Sequence, residues 1–146
     1  MIQRVSRAAV RVEDETTGEI GTGLLVLIGV KQDDSPAAAQ YTAEKIAGLR
    51  IFPDQHGRME HSVLEAGGEV LVVSQFTLYG DARKGRRPSY AGAASGGLAV
   101  TLYEEVCTTL RKLGLKVETG RFGAQMQVEM VGDGPVTILL DSERLY

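Results

Sequence analysis

The chain has 146 residues, of which 43% are hydrophobic and 24% charged, and its formal net charge is -3. This length suits one compact domain with a sizeable core, and this composition excludes a disordered or fibrous chain. The acidic balance also excludes a surface that grips nucleic acid over its whole area, although a local basic patch remains compatible with it.

Three further features bear on where the protein works. Cys107 is the only cysteine, so no internal disulfide can form, and such a chain is typical of a reducing compartment. The first ten residues lack the apolar segment of about 7 to 15 residues that marks a signal peptide. The longest apolar run, residues 24–28, is far shorter than the ~20 residues that cross a bilayer. We therefore expect a cytoplasmic protein without membrane contact.

The first third of the chain predicts two strands and a helix. Residues 2–12 alternate between apolar and polar side chains, as in a half-buried strand, and residues 20–30 form a second, more apolar strand. With a turn between them, these two strands should form an antiparallel hairpin. Ser35 and Pro36 are typical of a helix start, because serine can cap and proline needs no donor there. That helix should end at Gly48.

A turn-rich stretch follows the first helix. Residues 49–52 could form a short strand, and residues 52–62 hold both histidines, His56 and His61. Histidine and carboxylate side chains can bind metal ions, but the spacing here matches no known ligand pattern. We therefore predict exposed loop histidines and no metal.

A short apolar run marks the centre of the fold. Residues 70–73 are apolar and mostly β-branched, which predicts a strand buried on both faces. Ser74, Gln75 and Thr77 follow at once, with Phe76 among them. Strand ends on a rigid sheet are common positions for binding and catalysis. Serine and threonine there also bond local backbone, so the pattern by itself leaves a structural and a catalytic role open.

A run of basic residues follows this strand end. Four cations occupy five positions, namely Arg83, Lys84, Arg86 and Arg87. They are enough to contact a few phosphates of a nucleic acid. So short a run is more often a solvated loop, and both interpretations stay open.

The second helix should begin after a segment of small residues, with Ser95 as its cap, and end at Gly114. Cys107 lies within it, which predicts a buried thiol. Leucine and valine recur along it at helical spacing and predict a stripe that packs in the core, made of Leu98, Leu102, Val106, Leu110 and Leu113.

Three strands should close the chain. Residues 115–119 and 125–131 read as strands, residues 132–135 (GDGP) are a dense turn signal, and residues 136–140 form a final apolar strand. This order of elements indicates a mixed sheet with helices and not a doubly wound parallel sheet. The glycines match no phosphate loop or dinucleotide fingerprint, so no cofactor is expected.

Two separated motifs point to a known family. The chain carries SQFTL at 74–78 and GPVT at 134–137, and it resembles the D-aminoacyl-tRNA deacylases over nearly its whole length, including IQRV at 2–5 and RPSY at 87–90. One departure is Gly132, where the family usually has asparagine. The resemblance therefore says least about how the loop after Gly132 is held.

This resemblance implies a fold and an activity. It implies a single domain over 1–146 with a three-layer α/β/β fold of the α/β class, mixed but largely antiparallel sheets and two main helices. It also implies a homodimer with active sites at the subunit interface, acting without a cofactor. The implied reaction is hydrolysis of the ester between a D-amino acid, or mischarged glycine, and the terminal adenosine of tRNA, which is a chiral proofreading step in translation.

The resemblance assigns the chemistry to the strand end. The catalytic residues would be Ser74, Gln75, Phe76 and Thr77, with backbone N–H groups as donors to the developing oxyanion. Both histidines lie in one distant loop, so no Ser-His-Asp arrangement is evident. Thr77 is therefore expected to position the substrate and not to act as a nucleophile.

Chiral selection would fall to a second region. Gly134 and Pro135, joined by a cis peptide bond, would come from the partner subunit and form a wall that rejects L-amino acids. Phe122 and Met126 would line the pocket, or they are simply core residues. Arg4 would fix the orientation of the Gly-Pro loop.

The sequence leaves two other functions open. The protein could edit tRNA that carries a wrong L-amino acid. It could also be an RNA-binding module without turnover that relies on the cations at 83–87. We favour the D-aminoacyl-tRNA deacylase, because both motifs occur together and in order.

Overall fold

The computed structural model describes residues 1–146, which form eight strands, two α-helices and one 3-10 turn. The helices are α1 (Pro36–Gly48) and α2 (Gly96–Lys112), and the 3-10 turn spans Phe76–Tyr79. The strands are β1 (Ile2–Val12), β2 (Glu15–Ile20), β3 (Gly23–Ile28), β4 (Phe52–Pro53), β5 (Met59–His61), β6 (Glu69–Ser74), β7 (Val117–Thr119) and β8 (Gln127–Ile138). Neither helix is long and apolar enough to cross a membrane.

Six of the strands form one mixed sheet. β1 pairs antiparallel with β2, β3 and β8, while β6 lies between β3 and β7 and is parallel to both. β2 and β3 pair with successive parts of β1 in one continuous register, so both lie along the same edge of β1. β8 pairs with the opposite edge of β1. The predicted hairpin and mixed sheet are confirmed.

The sheet curls so that β2 lies over β6 and β7. Gly18 of β2 is in close contact with β7, since a Cβ there would lie 2.4 Å from the carbonyl oxygen of Thr119. The curl encloses one apolar cluster, made of Val5, Ala8, Val10, Ile20, Leu25, Leu71 and Val73. A larger cluster fills the other face of the sheet, between it and both helices. The helices, the sheet and the curled strands are the three predicted layers.

Both helices form where the sequence predicts them. The hydroxyl of Ser35 accepts a hydrogen bond from the Ala38 amide at 3.3 Å, so the predicted cap is confirmed. Cys107 is buried in α2, as predicted. The core stripe is wrong at its two ends, because Leu98 is 37% exposed and Leu113 41% exposed. They lie in the first turn and at the C-cap, outside the stretch of the helix that packs on the sheet.

Other boundaries differ from the prediction. β2 begins at Glu15, because Glu13 takes a left-handed conformation (φ 55°) and makes the turn after β1 very short. The strand predicted over 49–52 is reduced to β4, which pairs only with β5. The turn predicted over 132–135 does not separate two strands, since β8 runs through it.

Candidate functional site

The polar strand end lies at the centre of the sheet. Residues 70–73 are buried, and β3 and β7 flank β6 on either side. Ser74 is the last residue of β6 and pairs with Ile28 of β3. The next amide, that of Gln75, donates to the Ile28 carbonyl at 2.7 Å. The backbone that leads into the site is therefore held by its sheet neighbour.

The 3-10 turn begins directly after this strand end. The Gly80 amide donates to the Thr77 carbonyl at 2.9 Å, which closes the turn. The side-chain amide of Gln75 donates to the hydroxyl of Thr77. The first amides of a helical turn have no acceptor within it, so those of Phe76 and Thr77 are suited to bind a substrate oxygen. Both residues are exposed.

The turn contains no group that is suited to act as a base at neutral pH. Burial, together with the nearby carboxylates of Asp34 and Asp141, raises the pKa of Tyr79 to about 12. Its phenol therefore stays protonated. His56 and His61 are exposed in the β4–β5 hairpin, as predicted, and neither side chain makes a hydrogen bond to the strand end. No group of three or more histidine, cysteine or carboxylate side chains is arranged to hold a metal ion.

Two further predicted residues flank β6. The ring of Phe122 packs against that of Tyr103, with centroids 5.7 Å apart, and the Tyr103 hydroxyl donates to the carbonyl of Val72 at 2.9 Å. Phe122 is 36% exposed, so it is not part of the buried core. Met126 is partly buried and packs on the opposite face, against the cluster that contains Val73.

The Gly-Pro motif forms a bulge in β8. Gln3 of β1 pairs with Thr137, and Val5 pairs with Gly132. Between these pairs β1 has one residue, while β8 has four, residues 133–136, which must loop outwards. Gly134 has φ 128°, a conformation that suits only glycine. The Gly134–Pro135 peptide bond is cis, as the resemblance implies.

Arg4 is the single β1 residue that faces this bulge. Its side chain is buried, and its Nη1 donates to the carbonyl of Ile51 at 2.6 Å. Its Nε donates to the carbonyl of Asp133 at 3.2 Å and lies 3.1 Å from a carboxylate oxygen of the same residue. The bulge is thus connected through one guanidinium to the segment that follows α1. Gly134 and Pro135 are both exposed.

One chain does not bring the strand end and the bulge together. Arg4 pairs with Leu24, which pairs with Val70, so the bulge lies level with the beginning of β6. β1 and β3 also lie between β8 and β6. Four residues along a strand and three strand spacings give a separation of about 20 Å between the bulge and Ser74.

The basic residues predicted at 83–87 lie in an exposed loop after the 3-10 turn. Arg83 donates two hydrogen bonds to the carboxylate of Asp81, which lower the pKa of that carboxyl to about 2. Lys84, Arg86 and Arg87 are exposed on the same loop. The cluster is therefore not uniform, because one of its four charges is already paired.

Sequence reasoning missed two residues at these sites. Asp133 bonds to Arg4, and Tyr90 packs against Phe76 with ring centroids 5.2 Å apart. Both lie inside motifs that the sequence displays, GDGP and RPSY. The signal in the sequence was a possible charge pair: an acidic residue next to the Gly-Pro motif and an arginine in another predicted strand.

Comparisons with known proteins decide the family. The family described as "D-Tyr-tRNA(Tyr) deacylase" matches residues 1–141. A protein named D-aminoacyl-tRNA deacylase from Anaeromyxobacter dehalogenans is 60% identical over 100% of this chain and 98% of its own length. The chain belongs to the D-Tyr-tRNA(Tyr) deacylase family.

Other similar proteins agree with this deacylase assignment. A D-aminoacyl-tRNA deacylase from Symbiobacterium thermophilum is 58% identical over 100% of this chain and 97% of its own length. A solved structure titled "c-Myc DNA Unwinding Element Binding Protein" is 39% identical, with a TM-score of 0.87 over 94% of this chain and 93% of that one. A probable eukaryotic D-amino acid tRNA deacylase has a TM-score of 0.81 over 92% of this chain and 93% of its own, but at 18% identity it supports the fold alone. The resemblance drawn from the two deacylase motifs is confirmed, and neither alternative function is favoured.

Proposed function

We propose that this protein hydrolyses the ester between a D-amino acid and the terminal adenosine of tRNA at the end of β6. The observation that carries this function is the strand end itself, where backbone donors and polar side chains occur without a general base in a chain of the deacylase family. The reaction removes D-amino acids from tRNA before they reach the ribosome. It is therefore a proofreading step in translation, carried out in the cytoplasm by one domain that spans residues 1–146.

The chemistry needs little from the side chains. An ester is more reactive than an amide, and the ribose hydroxyl next to the scissile bond is a positioned group that the substrate itself supplies. The enzyme then has to orient the ester and stabilise the oxyanion. The amides of Phe76 and Thr77 are the oxyanion donors in this proposal, while the side chains of Ser74 and Gln75 hold the substrate. Thr77 is fixed by its bond from Gln75 and positions the ester.

Chiral selection is a steric property of the second region. D- and L-amino acids exchange a hydrogen and a side chain at one carbon, so a rigid wall that leaves room only for hydrogen rejects the L form. Gly134 and Pro135 are exposed and lie about 20 Å from their own strand end, which supports a wall supplied by the partner subunit. Phe122 and Met126, which lie on the two faces of β6, line the pocket at the strand end from either side. Glycine has hydrogen at both positions and passes the same wall.

A homodimer supplies that partner. β8 is a 12-residue edge strand with one unpaired side, and it exposes apolar side chains at Val128, Met130 and Val131. Long edge strands with exposed apolar residues are unfavourable unless something covers them. A second copy of the chain placed there by a two-fold axis would bring the bulge of each protomer to its partner.

Three charged tRNAs test this function. We expect the pure protein to hydrolyse D-Tyr-tRNA at least roughly 100-fold faster than L-Tyr-tRNA, since a steric wall excludes the whole L side chain. Gly-tRNA should also be hydrolysed. The release of the amino acid is measured by acid precipitation of labelled tRNA. Equal rates on the D and L esters, or no hydrolysis of either, would contradict the proposal.

A further inference from the structure

The loop that follows the active strand end is fixed at its base. Asp81 and Ser89 exchange two backbone hydrogen bonds of 2.8 and 2.9 Å and close residues 81–89, which we call the basic loop. The residue before it, Gly80, donates to the Thr77 carbonyl at 2.9 Å. Gly85 takes φ 79° within the loop. The basic loop is therefore a closed projection that starts directly at the proposed catalytic turn.

Three cations on this loop have no partner in the chain. Arg83 is paired with Asp81 at 2.7 Å, whereas Lys84, Arg86 and Arg87 make none of the molecule's ten ion pairs. All three are exposed, on a protein whose net charge is -3. Their side chains are free to neutralise phosphates of a bound strand.

Exposed aromatic rings lie at the root of the same loop. Tyr90 is 40% exposed and Phe76 is 56% exposed, and their rings meet edge to face with an interplanar angle of 73°. Gly80 allows this approach, because a Cβ there would lie 3.1 Å from the Tyr90 ring. Tyr90 is thus supported from the backbone side, while its exposed surface remains available for stacking. Aromatic faces beside cations are the usual means of binding unpaired bases.

We propose that the basic loop and Tyr90 bind the single-stranded 3′ end of the tRNA just upstream of its terminal adenosine. Lys84, Arg86 and Arg87 contact phosphates, and Tyr90 stacks on a base that precedes the terminal nucleotide. Arg83 stays paired with Asp81 and holds the loop in shape. This assignment rests on the proposed function, because it concerns the RNA part of that substrate.

The features favour an RNA strand over a protein partner. An acidic peptide would satisfy the three charges but would leave the exposed tyrosine unexplained. A second copy of this chain carries no phosphates for the three cations to neutralise. The 3′ end of the tRNA, in contrast, must reach the strand end at Ser74–Thr77 to be deacylated, and the basic loop begins beside it.

Two substrates separate the loop from the catalytic turn. D-Tyr-tRNA carries the whole 3′ strand, whereas 3′-O-D-tyrosyl-adenosine carries only the terminal nucleoside. We compare kcat and KM of the wild type with those of the Lys84→Gln, Arg86→Gln, Arg87→Gln triple variant between 50 and 200 mM KCl. Each lost phosphate contact lowers the slope of log KM against log salt by about 0.7. When KCl rises from 50 to 200 mM, the increase in KM should therefore be roughly 20-fold smaller for the triple variant than for the wild type. Its kinetics on the adenosine ester should be unchanged.

A matched control removes the same charge elsewhere. Lys45, Arg58 and Lys112 are exposed cations on α1, on the β4–β5 hairpin and at the end of α2. The triple variant with glutamine at these three positions should keep the wild-type salt slope on D-Tyr-tRNA. If it behaves like the basic-loop variant, net charge and not the loop governs binding, and the proposal is wrong.

Tyr90 is tested by a pair of substitutions. Tyr90→Ala should raise KM for D-Tyr-tRNA about ten-fold through lost stacking, while Tyr90→Phe keeps the ring and should stay close to the wild type. Both should leave the adenosine ester unaffected, and sedimentation should show the oligomeric state of the wild type. An equal loss on both substrates would indicate a structural role and overturn the proposal, as would wild-type values for Tyr90→Ala and for the basic-loop variant.

Binding of uncharged tRNA, measured by fluorescence anisotropy, keeps this test independent of hydrolysis. If the wild type cleaves neither ester, the proposed function fails, while the same variants still report on the loop. Weaker tRNA binding by the basic-loop variant, with a smaller salt slope, supports the assignment. Binding equal to that of the wild type overturns it.

Discussion

The end of β6 and the bulge of β8 are held in opposite ways. β6 has a strand on each side, and four of its residues are buried, so the backbone at Ser74 is fixed by the sheet. β8 pairs only with β1 and is exposed along most of its length. Its bulge is held by one hydrogen bond and one ion pair from a single side chain, that of Arg4.

This difference suggests a division of labour. The strand end is rigid, as a site for chemistry must be, because reacting groups have to be held within a fraction of an ångström. The bulge presents main chain at a distance from that site, where it serves a partner and not its own strand end. Loss of the contact between Arg4 and the bulge should therefore impair proofreading by moving the bulge. Changes at the strand end should impair the chemical step itself.

The largest effect is expected from Arg4→Ala. This change leaves the carbonyls of Ile51 and Asp133 without their donor and should destabilise the fold by about 1–3 kcal/mol. Misplacement of the bulge should lower kcat/KM for D-Tyr-tRNA about 100-fold. Arg7→Ala, an exposed change on the same strand, is the control. Wild-type proofreading by Arg4→Ala would show that the bulge does not need its contact with Arg4.

Gly134→Ala should have the next largest effect. An alanine Cβ would lie 2.8 Å from the amide and a methyl group of Val136, at a backbone angle that disfavours any side chain. We expect kcat/KM for D-Tyr-tRNA to fall about 30-fold as the bulge shifts. Gly57 also has a positive φ, 77°, but open space around it, so Gly57→Ala should cost stability without loss of activity. Equal activities of the two variants would separate the bulge from proofreading.

Gln75→Ala addresses the other region. The side-chain amide of Gln75 holds the Thr77 hydroxyl, and its loss should lower kcat on D-Tyr-tRNA about ten-fold with little change in KM. Thermal stability should stay within about 0.5 kcal/mol of the wild type, as is usual for residues outside the core. Gln55→Ala in the β4–β5 loop provides the comparison. A rise in KM with kcat unchanged would instead assign Gln75 to ground-state binding.

The smallest effect is expected behind the strand end. Tyr103→Phe removes a hydroxyl that donates to the Val72 carbonyl, but the Gly120 amide also donates to that carbonyl at 3.2 Å. Since the acceptor keeps one partner, urea unfolding should show a loss of only about 1 kcal/mol. Activity should fall less than about three-fold. Tyr41→Phe, whose hydroxyl makes no hydrogen bond, should change neither quantity. A large loss of activity would mean that the rigidity of β6 depends on the helix layer.

The same two regions show what sequence can predict. β6 and its polar end are encoded locally, since an apolar β-branched run followed by polar residues has few alternative structures. The two helices follow from caps and spacing in the same way. The bulge is different, because GDGP is a turn signal in itself and becomes part of one strand only through Arg4, which lies 129 positions away along the chain. No pattern within the chain reveals that the two motifs end up about 20 Å apart.

Mixed dimers test the shared site most directly. One protomer carries Gln75→Ala with Thr77→Ala, and the other carries Arg4→Ala with Gly134→Ala, with different affinity tags so that the heterodimer can be purified. Each homodimer should be nearly inactive on D-Tyr-tRNA. If the strand end of one protomer works with the bulge of its partner, the heterodimer contains one intact site of two and should recover about half of the wild-type activity. A heterodimer no more active than its two parents would contradict the account.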